Sequence, residues 1–172
     1  MPEVAPKPVF LVDAFASPVV IKIDGRASFM NCACLRDFFT ELIRQGKTKF
    51  VVDFRQCASM DSTFLGVLAG AALELRKLTP PGSLIVARLG PRNLELLRNL
   101  GLHRLMVIDT GAADSTVETA VGQALSCAAP RSELENARMV LEAHENLVSA
   151  DSGNQTKFQD VLTFLKTRVE QA

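Results

Sequence analysis

A regular alternation of short β-branched runs with amphipathic helical segments constrains the fold more than any other feature of the sequence. Strands are predicted at 9–12, 19–23, 50–54, 84–86 and 105–108. Helices are predicted at 28–45, 62–77 and 91–100, and a further helix is predicted from the capping sequence at Ser115. Strands joined through helices of this length form parallel crossover units. We therefore predict an α/β fold with a mixed, mostly parallel sheet of about four or five strands under helical cover.

The two ends of the chain have a different character from the alternating region. Residues 1–8 are a proline-rich, flexible lead-in without the apolar core of a signal peptide. Sequences of the capping-box type begin at Ser132 and Thr156 and predict two amphipathic helices. Residues 131–172 therefore form a C-terminal helical hairpin, and we expect a folded core to remain when the hairpin is removed. Surface cover, dimerisation and docking of a regulator all stay open as roles for the hairpin.

Composition excludes several classes of function. Lys plus Arg and Asp plus Glu are 19 each, so the net charge of zero argues against a bulk binder of nucleic acid. Hydrophobic residues make up 48% of the chain, which is enough for a full core. No apolar run approaches the roughly 18 residues of a membrane span. We expect a cytoplasmic protein with no nucleic-acid partner and no membrane insertion.

The cysteines and histidines do not have the spacing of a metal site. Only Cys32 and Cys34 lie close together in sequence, and paired Cys or His ligands elsewhere are lacking. We expect reduced thiols, no metal and no cofactor. His144 lies on an otherwise apolar helix face and is interpreted as a satisfied packing residue, and His103 as a surface or cap residue.

The segment 51–70 is the most informative part of the chain. It predicts a strand, a loop and then a helix that opens on Asp61 and Ser62, both good N-cap residues. A hydroxyl at this place lies beside free N–H groups and the positive end of the helix dipole, which tolerate a phosphate well. From the residues alone, Ser62 is either a helix cap or a phosphate acceptor. Gly66 and Gly70 leave one face of the helix without side chains. This pattern predicts a packing groove within the fold rather than an oligomer interface.

This segment also carries a family resemblance. A strand with Asp53, a loop, and then Asp61-Ser62-x-x-Leu65-Gly66 resembles the signature of STAS-domain proteins, the anti-sigma-factor antagonists or anti-anti-sigma factors. The core motif is short, but it lies in the expected strand and helix context.

The resemblance extends beyond the motif. Asp24-Gly25 at the end of a strand is similar to the family's glycine before its first helix. Residues 92–102 resemble its late helix and small glycine turn before a strand. The similarity covers about residues 9–127 and implies that this region is a STAS domain, with the hairpin as an extension.

The resemblance implies a mechanism for a bacterial regulator of transcription. In such proteins an anti-sigma factor, itself a serine kinase, phosphorylates the serine that matches Ser62. The unphosphorylated protein binds the anti-sigma factor and frees the sigma factor. The phosphate opposes docking by charge repulsion and desolvation, and a serine phosphatase resets the switch. Asp61 would shape the recognition surface and Asp53 would hold the preceding loop. The implied partner-binding residues are Asp24, Gly25, Asp61, Ser62, Thr63 and Phe64.

The sequence departs from the family pattern directly after Ser62. Thr63 and Phe64 stand where the family usually has Ser-Gly. Thr63 keeps a hydroxyl and is a second candidate acceptor. Phe64 either turns inward to the core or enlarges the surface that faces the partner.

Two other functions stay in view. One is a STAS interaction or scaffold module in another signalling assembly or a transporter complex. The other is an enzyme that uses Ser62 or Cys57 as nucleophile, which would need a neighbouring base. Neither histidine has a sequence relation to Ser62 that suggests such a base, so we do not expect an enzyme. A homodimer stays open.

Overall fold

Six strands form one mixed sheet in the structure, a computed structural model that describes residues 9–120, 122–125 and 131–171. The strands are β1 (Phe10–Asp13), β2 (Val19–Ala27), β3 (Lys49–Met60), β4 (Ser83–Ala87), β5 (Val107–Asp109) and β6 (Gln123–Ala124). Their order across the sheet is β5-β4-β3-β2-β1-β6. The strands β2 to β5 pair in parallel, and β1 is antiparallel to both of its neighbours. The predicted α/β class and mixed sheet are confirmed.

Seven α-helices are present within the described residues. They are α1 (Cys32–Arg44), α2 (Ser62–Arg76), α3 (Pro91–Asn99), α4 (Asp114–Thr119), α5 (Glu133–Ala150), α6 (Asn154–Lys157) and α7 (Gln159–Glu170). A short 3-10 helix, Leu102–Arg104, joins α3 to β5. The predicted lead-in at 1–8 lies outside the described residues.

The sheet has one strand more than predicted because the chain after Ser115 behaves differently. The capping box expected there does not form: α4 begins at Asp114 without a side-chain cap and ends at Thr119. The chain then pairs as β6 with Leu11 and Val12 of β1. This pairing satisfies backbone groups that an open edge strand would leave unpaired.

Alternation along β3 divides the core between the two faces of the sheet. Phe50, Val52 and Phe54 point into the large cluster that includes residues of α1 and α2. Val51 points to the opposite face, where it joins a small cluster with Val117 of α4. Side chains alternate in this way because successive residues of a strand face opposite sides.

The C-terminal helices belong to the same core as the sheet. The helix α5 lies against α2, and Met139, Ala143 and Leu147 on α5 are part of the large cluster. The capping box at Ser132 forms as predicted. The one expected at Thr156 does not, since α7 begins after Phe158 without a side-chain cap. The helix α5 therefore contributes side chains to the core of the sheet, and whether the rest of the chain folds without residues 131–172 stays a prediction.

Candidate functional site

The candidate site lies where β2 and β3 end side by side. Ala27 pairs with Met60 at these ends, and the chain continues from there into α1 and α2. Asp61 caps α2 through its Oδ1 atom, which accepts a hydrogen bond of 2.9 Å from the Phe64 N–H. Its Oδ2 atom accepts one of 2.9 Å from the Phe29 N–H in the loop before α1. One carboxylate thus fixes the start of α2 and holds the neighbouring loop against it.

Ser62 is the first residue of α2 and is half-buried. Its Oγ atom lies 2.9 Å from the Nε2 atom of His144, a residue of α5 that is 82 positions away in the sequence. The Nδ1 atom of His144 lies 2.8 Å from the Val140 carbonyl oxygen. Because a carbonyl only accepts, Nδ1 carries a proton, and in the neutral ring Nε2 accepts the proton of the Ser62 hydroxyl.

Sequence reasoning missed this contact. The position of His144 on an apolar helix face predicted a satisfied packing residue, and that part is confirmed by its burial and by its edge-on packing against Phe158. The spacing of apolar residues could not predict that the ring would contact Ser62. The sequence showed only that a polar ring, His144, lies on the apolar face of a helix, and it did not show which element packs against that face.

The two residues after Ser62 turn away from solvent. Thr63 is 5% exposed, and Phe64 is 0% exposed with its ring centroid 6.2 Å from those of both Phe10 and Phe54. The expectation that Phe64 belongs to a partner-facing surface is corrected by this placement in the core. Thr63 stays next to Ser62 in sequence, but its side chain is buried.

Asp24 and Gly25 lie on β2 before the end of the strand, where they pair with Gln56 and Cys57 of β3. The strand does not end at Gly25 as predicted but continues to Ala27 past two irregularities of register. Gly25 has a φ of +110°, a conformation that L side chains rarely adopt, so the irregular pairing requires glycine here.

Asp53 has a different structural role from the one predicted. It lies inside β3, which runs to Met60 without the expected loop. Its buried carboxylate receives two hydrogen bonds from the Arg88 guanidinium, at 2.9 and 2.7 Å. Arg88 also pairs with Glu118 of α4. Asp53 therefore ties β3 to the end of β4 and to α4 rather than holding the loop before Ser62.

Two exposed apolar side chains lie in the loop that Asp61 holds. Phe29 is 53% exposed and Met30 is 82% exposed. Large apolar side chains next to a half-buried hydroxyl give this edge the composition of a protein-binding surface. The helix predicted over 28–45 would have included both residues, whereas α1 begins only at Cys32.

The glycine face of α2 is covered by α5. A Cβ atom on Gly66 would lie 2.2 Å from the Ala143 carbonyl oxygen, so only glycine allows this approach. Asn146 donates a hydrogen bond of 3.2 Å to the Gly66 carbonyl. The predicted packing groove at Gly66 and Gly70 is confirmed, and α5 is the element that fills it.

The thiols near the site are protonated at neutral pH. Burial, with the nearby Asp61 charge, raises the pKa of Cys32 to about 12. Burial raises the pKa of Cys57 to about 11. Cys34 takes part in a disulfide, so the expectation of reduced thiols is wrong at this position.

The described part of the chain carries neither a cluster of metal ligands nor a membrane-spanning helix. Among residues 9–120, 122–125 and 131–171, no three His, Cys, Asp or Glu side chains are grouped so as to hold a metal ion. In the same residues, no helix has the length and apolar character needed to cross a membrane.

Comparisons with solved structures show the same fold in other proteins. The anti-sigma factor antagonist SpoIIAA in its unphosphorylated form has 20% identity and a TM-score of 0.52, with 63% of this chain and 94% of that one covered. The Bacillus cell fate determinant SpoIIAA in its phosphorylated form has 22% identity and a TM-score of 0.51, with 63% and 96% covered. An anti-sigma factor antagonist from Mycobacterium paratuberculosis has 18% identity and a TM-score of 0.54, with 66% and 96% covered.

The family is shown by the sequence match. No curated protein matches the chain significantly. The family model described as "Mlab, STAS domain" matches residues 10–108, which is more than half of the 172 residues. The matched region contains the whole of β1 to β4 and the start of α2, with its N-cap Asp61 and its first residue Ser62. The chain belongs to the STAS-domain family.

Proposed function

We propose that this protein is an anti-sigma-factor antagonist that is switched by phosphorylation of Ser62. In its unphosphorylated form it binds an anti-sigma factor that is also a serine kinase. Phosphorylation by that kinase ends the binding, and a serine phosphatase restores it. The protein acts by binding, without an enzymatic activity of its own.

The observation that carries the proposal is the place of the Ser62 hydroxyl. It lies half-buried at the first position of α2, next to Asp61, whose carboxylate holds the loop that carries the exposed Phe29 and Met30. The first N–H groups of a helix lack intrahelical partners and favour negative charge, so a phosphate is tolerated on Ser62 in the folded protein. The similar fold of SpoIIAA, which has been solved in both forms, supports the proposal.

The charge of the phosphate explains why it would end binding. A phosphoserine carries about −1.5 to −2 charges at neutral pH. On Ser62 it would stand beside the Asp61 carboxylate, which is held in place by its two hydrogen bonds. A partner that covers Phe29 and Met30 would have to strip water from the doubly charged phosphate, which is costly.

Substitution of Ser62 tests the switch. The partner in this test is an anti-sigma factor of the same host that is a serine kinase of the GHKL type. We expect Ser62→Ala to bind this kinase as tightly as the wild type does. Ser62→Asp should bind at least about 30-fold more weakly, because it places a second carboxylate beside Asp61. Isothermal titration calorimetry measures the three affinities. Ser115→Asp, on the opposite face of the sheet, makes the same change elsewhere and should leave binding unchanged, and equal affinities for all variants would contradict the proposal.

The modified residue can be identified directly. We expect phosphopeptide mass spectrometry on protein purified from its own host to find phosphate on Ser62 and not on Thr63. The reason is that the Thr63 side chain is 5% exposed, whereas that of Ser62 is partly accessible. Phosphate on Thr63 alone would move the switch to the second candidate.

A STAS interaction module in another signalling assembly or a transporter complex is the second candidate. The family match favours it, since the model that matches residues 10–108 is described as "Mlab, STAS domain" and names no sigma factor. Under this function the Ser62 variants bind the true partner equally well, and no GHKL-type kinase binds the wild type. The same titrations therefore separate the two functions.

A further inference from the structure

The hydrogen-bonded pair of Ser62 and His144 joins the STAS domain to its C-terminal extension. We propose that His144 accepts the hydroxyl proton of Ser62 during phosphorylation and then stays beside the phosphate as its counter-charge. The inference rests on the proposed function for the identity of the phosphoryl donor. The chemistry of the pair can be tested without that donor.

The geometry is that of a nucleophile and an oriented base. The Ser62 Oγ and His144 Nε2 atoms are 2.9 Å apart, within the range for proton transfer. The bond from Nδ1 to the Val140 carbonyl fixes the ring and leaves Nε2 as the acceptor. Edge-on packing against Phe158, at 5.0 Å between centroids, holds the ring from a second side. Both nitrogens of the buried ring are thus hydrogen-bonded, and the one that can accept a proton faces the Ser62 hydroxyl.

His144 is present at Ser62 whenever the protein is folded, because α5 is a fixed layer rather than a lid. Met139 and Leu147 flank His144 on α5, and both are buried in the large core cluster. The backbone of Ala143 packs directly against Gly66, so α5 cannot move closer to α2. Moving α5 away from Ser62 would expose this part of the core to water.

The base is supplied from outside the region that the family model matches. His144 lies beyond residues 10–108, the region that the STAS family model matches. The α2 start with its serine thus lies inside the matched region, whereas the imidazole is supplied by a helix that lies outside it.

The proposed step is a phosphoryl transfer from the nucleoside triphosphate that the kinase supplies. The Ser62 Oγ atom attacks the terminal phosphorus, and a new Oγ–P bond forms. The bond from that phosphorus to the bridging oxygen breaks, and its electron pair leaves with the nucleoside diphosphate. The hydroxyl proton moves to His144 Nε2. The imidazolium then stands against the new phosphate, and this ion pair offsets the repulsion from Asp61.

A fluorophosphonate probe tests the pair without any kinase. The probe reacts with an activated serine: an Oγ–P bond forms, fluoride leaves with the electron pair of the P–F bond, and the proton goes to the base. We expect the wild type to be labelled at Ser62. His144→Gln keeps a hydrogen-bond acceptor of similar reach but has no basicity, and it should slow labelling about 100-fold. His103→Gln changes the exposed histidine and should leave the rate unchanged.

Chemical rescue separates a base from a packing residue. His144→Ala should label slowly, and added imidazole should restore the rate, whereas pyrazole, a ring of similar shape but much weaker basicity, should not. A thermal melt of each variant shows whether it is folded, and His144→Gln gives the comparison if His144→Ala is not. Absence of label on wild-type Ser62, equal rates for wild type and His144→Gln, or equal rescue by both rings would each overturn the inference.

Failure of the Ser62–His144 inference and failure of the proposed function would give different results. Fast, His144-dependent labelling of Ser62 with no binding to a GHKL-type kinase would leave the pair standing and remove the sigma-regulatory function. Kinase binding that depends on Ser62, with labelling independent of His144, would do the reverse.

Discussion

Deletion of residues 131–172 is expected to abolish cooperative unfolding of the chain or to lower its melting temperature by at least about 10 °C. The deletion removes Met139 and Leu147, which are 1% and 0% exposed. Burial of two such side chains stabilises a fold by about 3–6 kcal/mol in total. Their removal also uncovers the α2 surface around Gly66. A loss of this size is a large part of the roughly 5–15 kcal/mol that holds a typical domain together.

The deletion also breaks polar contacts that join the extension to the turn after α3. Asn154 donates hydrogen bonds to the carbonyl oxygens of Leu100 and Leu147, at 2.9 and 2.7 Å. Asp151 packs against Gly101, where a Cβ atom would lie 2.3 Å from its Oδ2 atom. The Leu100 carbonyl and the turn at Gly101 would be left to water, so the damage would not be confined to α2.

Circular dichroism at increasing temperature measures this effect. Leu147→Ala in the full chain should lower stability by about 2–5 kcal/mol through the same contact, without shortening the protein. Glu145→Ala, an exposed change on the same helix, should stay within about 0.5 kcal/mol of the wild type. A truncated chain that melts cooperatively near the wild-type temperature would show that the STAS domain is stable alone.

Local patterns were sufficient for most of the fold. The β-branched runs at β2 and β4 and the helical spacing of α2 are determined within short windows of sequence, so they could be predicted. The capping box at Ser132 is equally local and forms as expected. The start of α2 could be placed from Asp61 alone because an N-cap acts over three residues.

Contacts between segments that are distant in sequence account for the differences between the predicted and the observed structure. β6 forms because the open edge of β1 pairs with a segment of weak helical character, which no local window contains. Asp53 pairs with Arg88, a residue 35 positions away with a φ of +57°, so its role depends on the parallel register of β3 and β4. The contact between Ser62 and His144 depends on how α5 docks. The site could therefore be placed from the sequence, but its base could not.

Gly66→Ala is expected to destabilise the protein by about 3 kcal/mol or more, although alanine is the better helix former. The new methyl group would lie 2.2, 2.5 and 2.8 Å from the O, C and Cα atoms of Ala143. These are backbone atoms of a helix, so they cannot rotate away, and α5 as a whole has to shift. The gain of about 1 kcal/mol in helix propensity is too small to offset this overlap.

Gly70→Ala on the same helix is the matched control. Its methyl group would meet the Asn146 side-chain amide nitrogen at 2.4 Å, the far end of a flexible side chain that can turn aside. The lost hydrogen bond to the Gly66 carbonyl, about 1 kcal/mol, is then balanced by the gain in helix propensity. Urea unfolding should therefore give a stability close to the wild type for Gly70→Ala and a large loss for Gly66→Ala. Because the displaced helix carries His144, Gly66→Ala should also slow fluorophosphonate labelling of Ser62. Equal stability of the two variants would mean that α5 does not rest on Gly66 in solution.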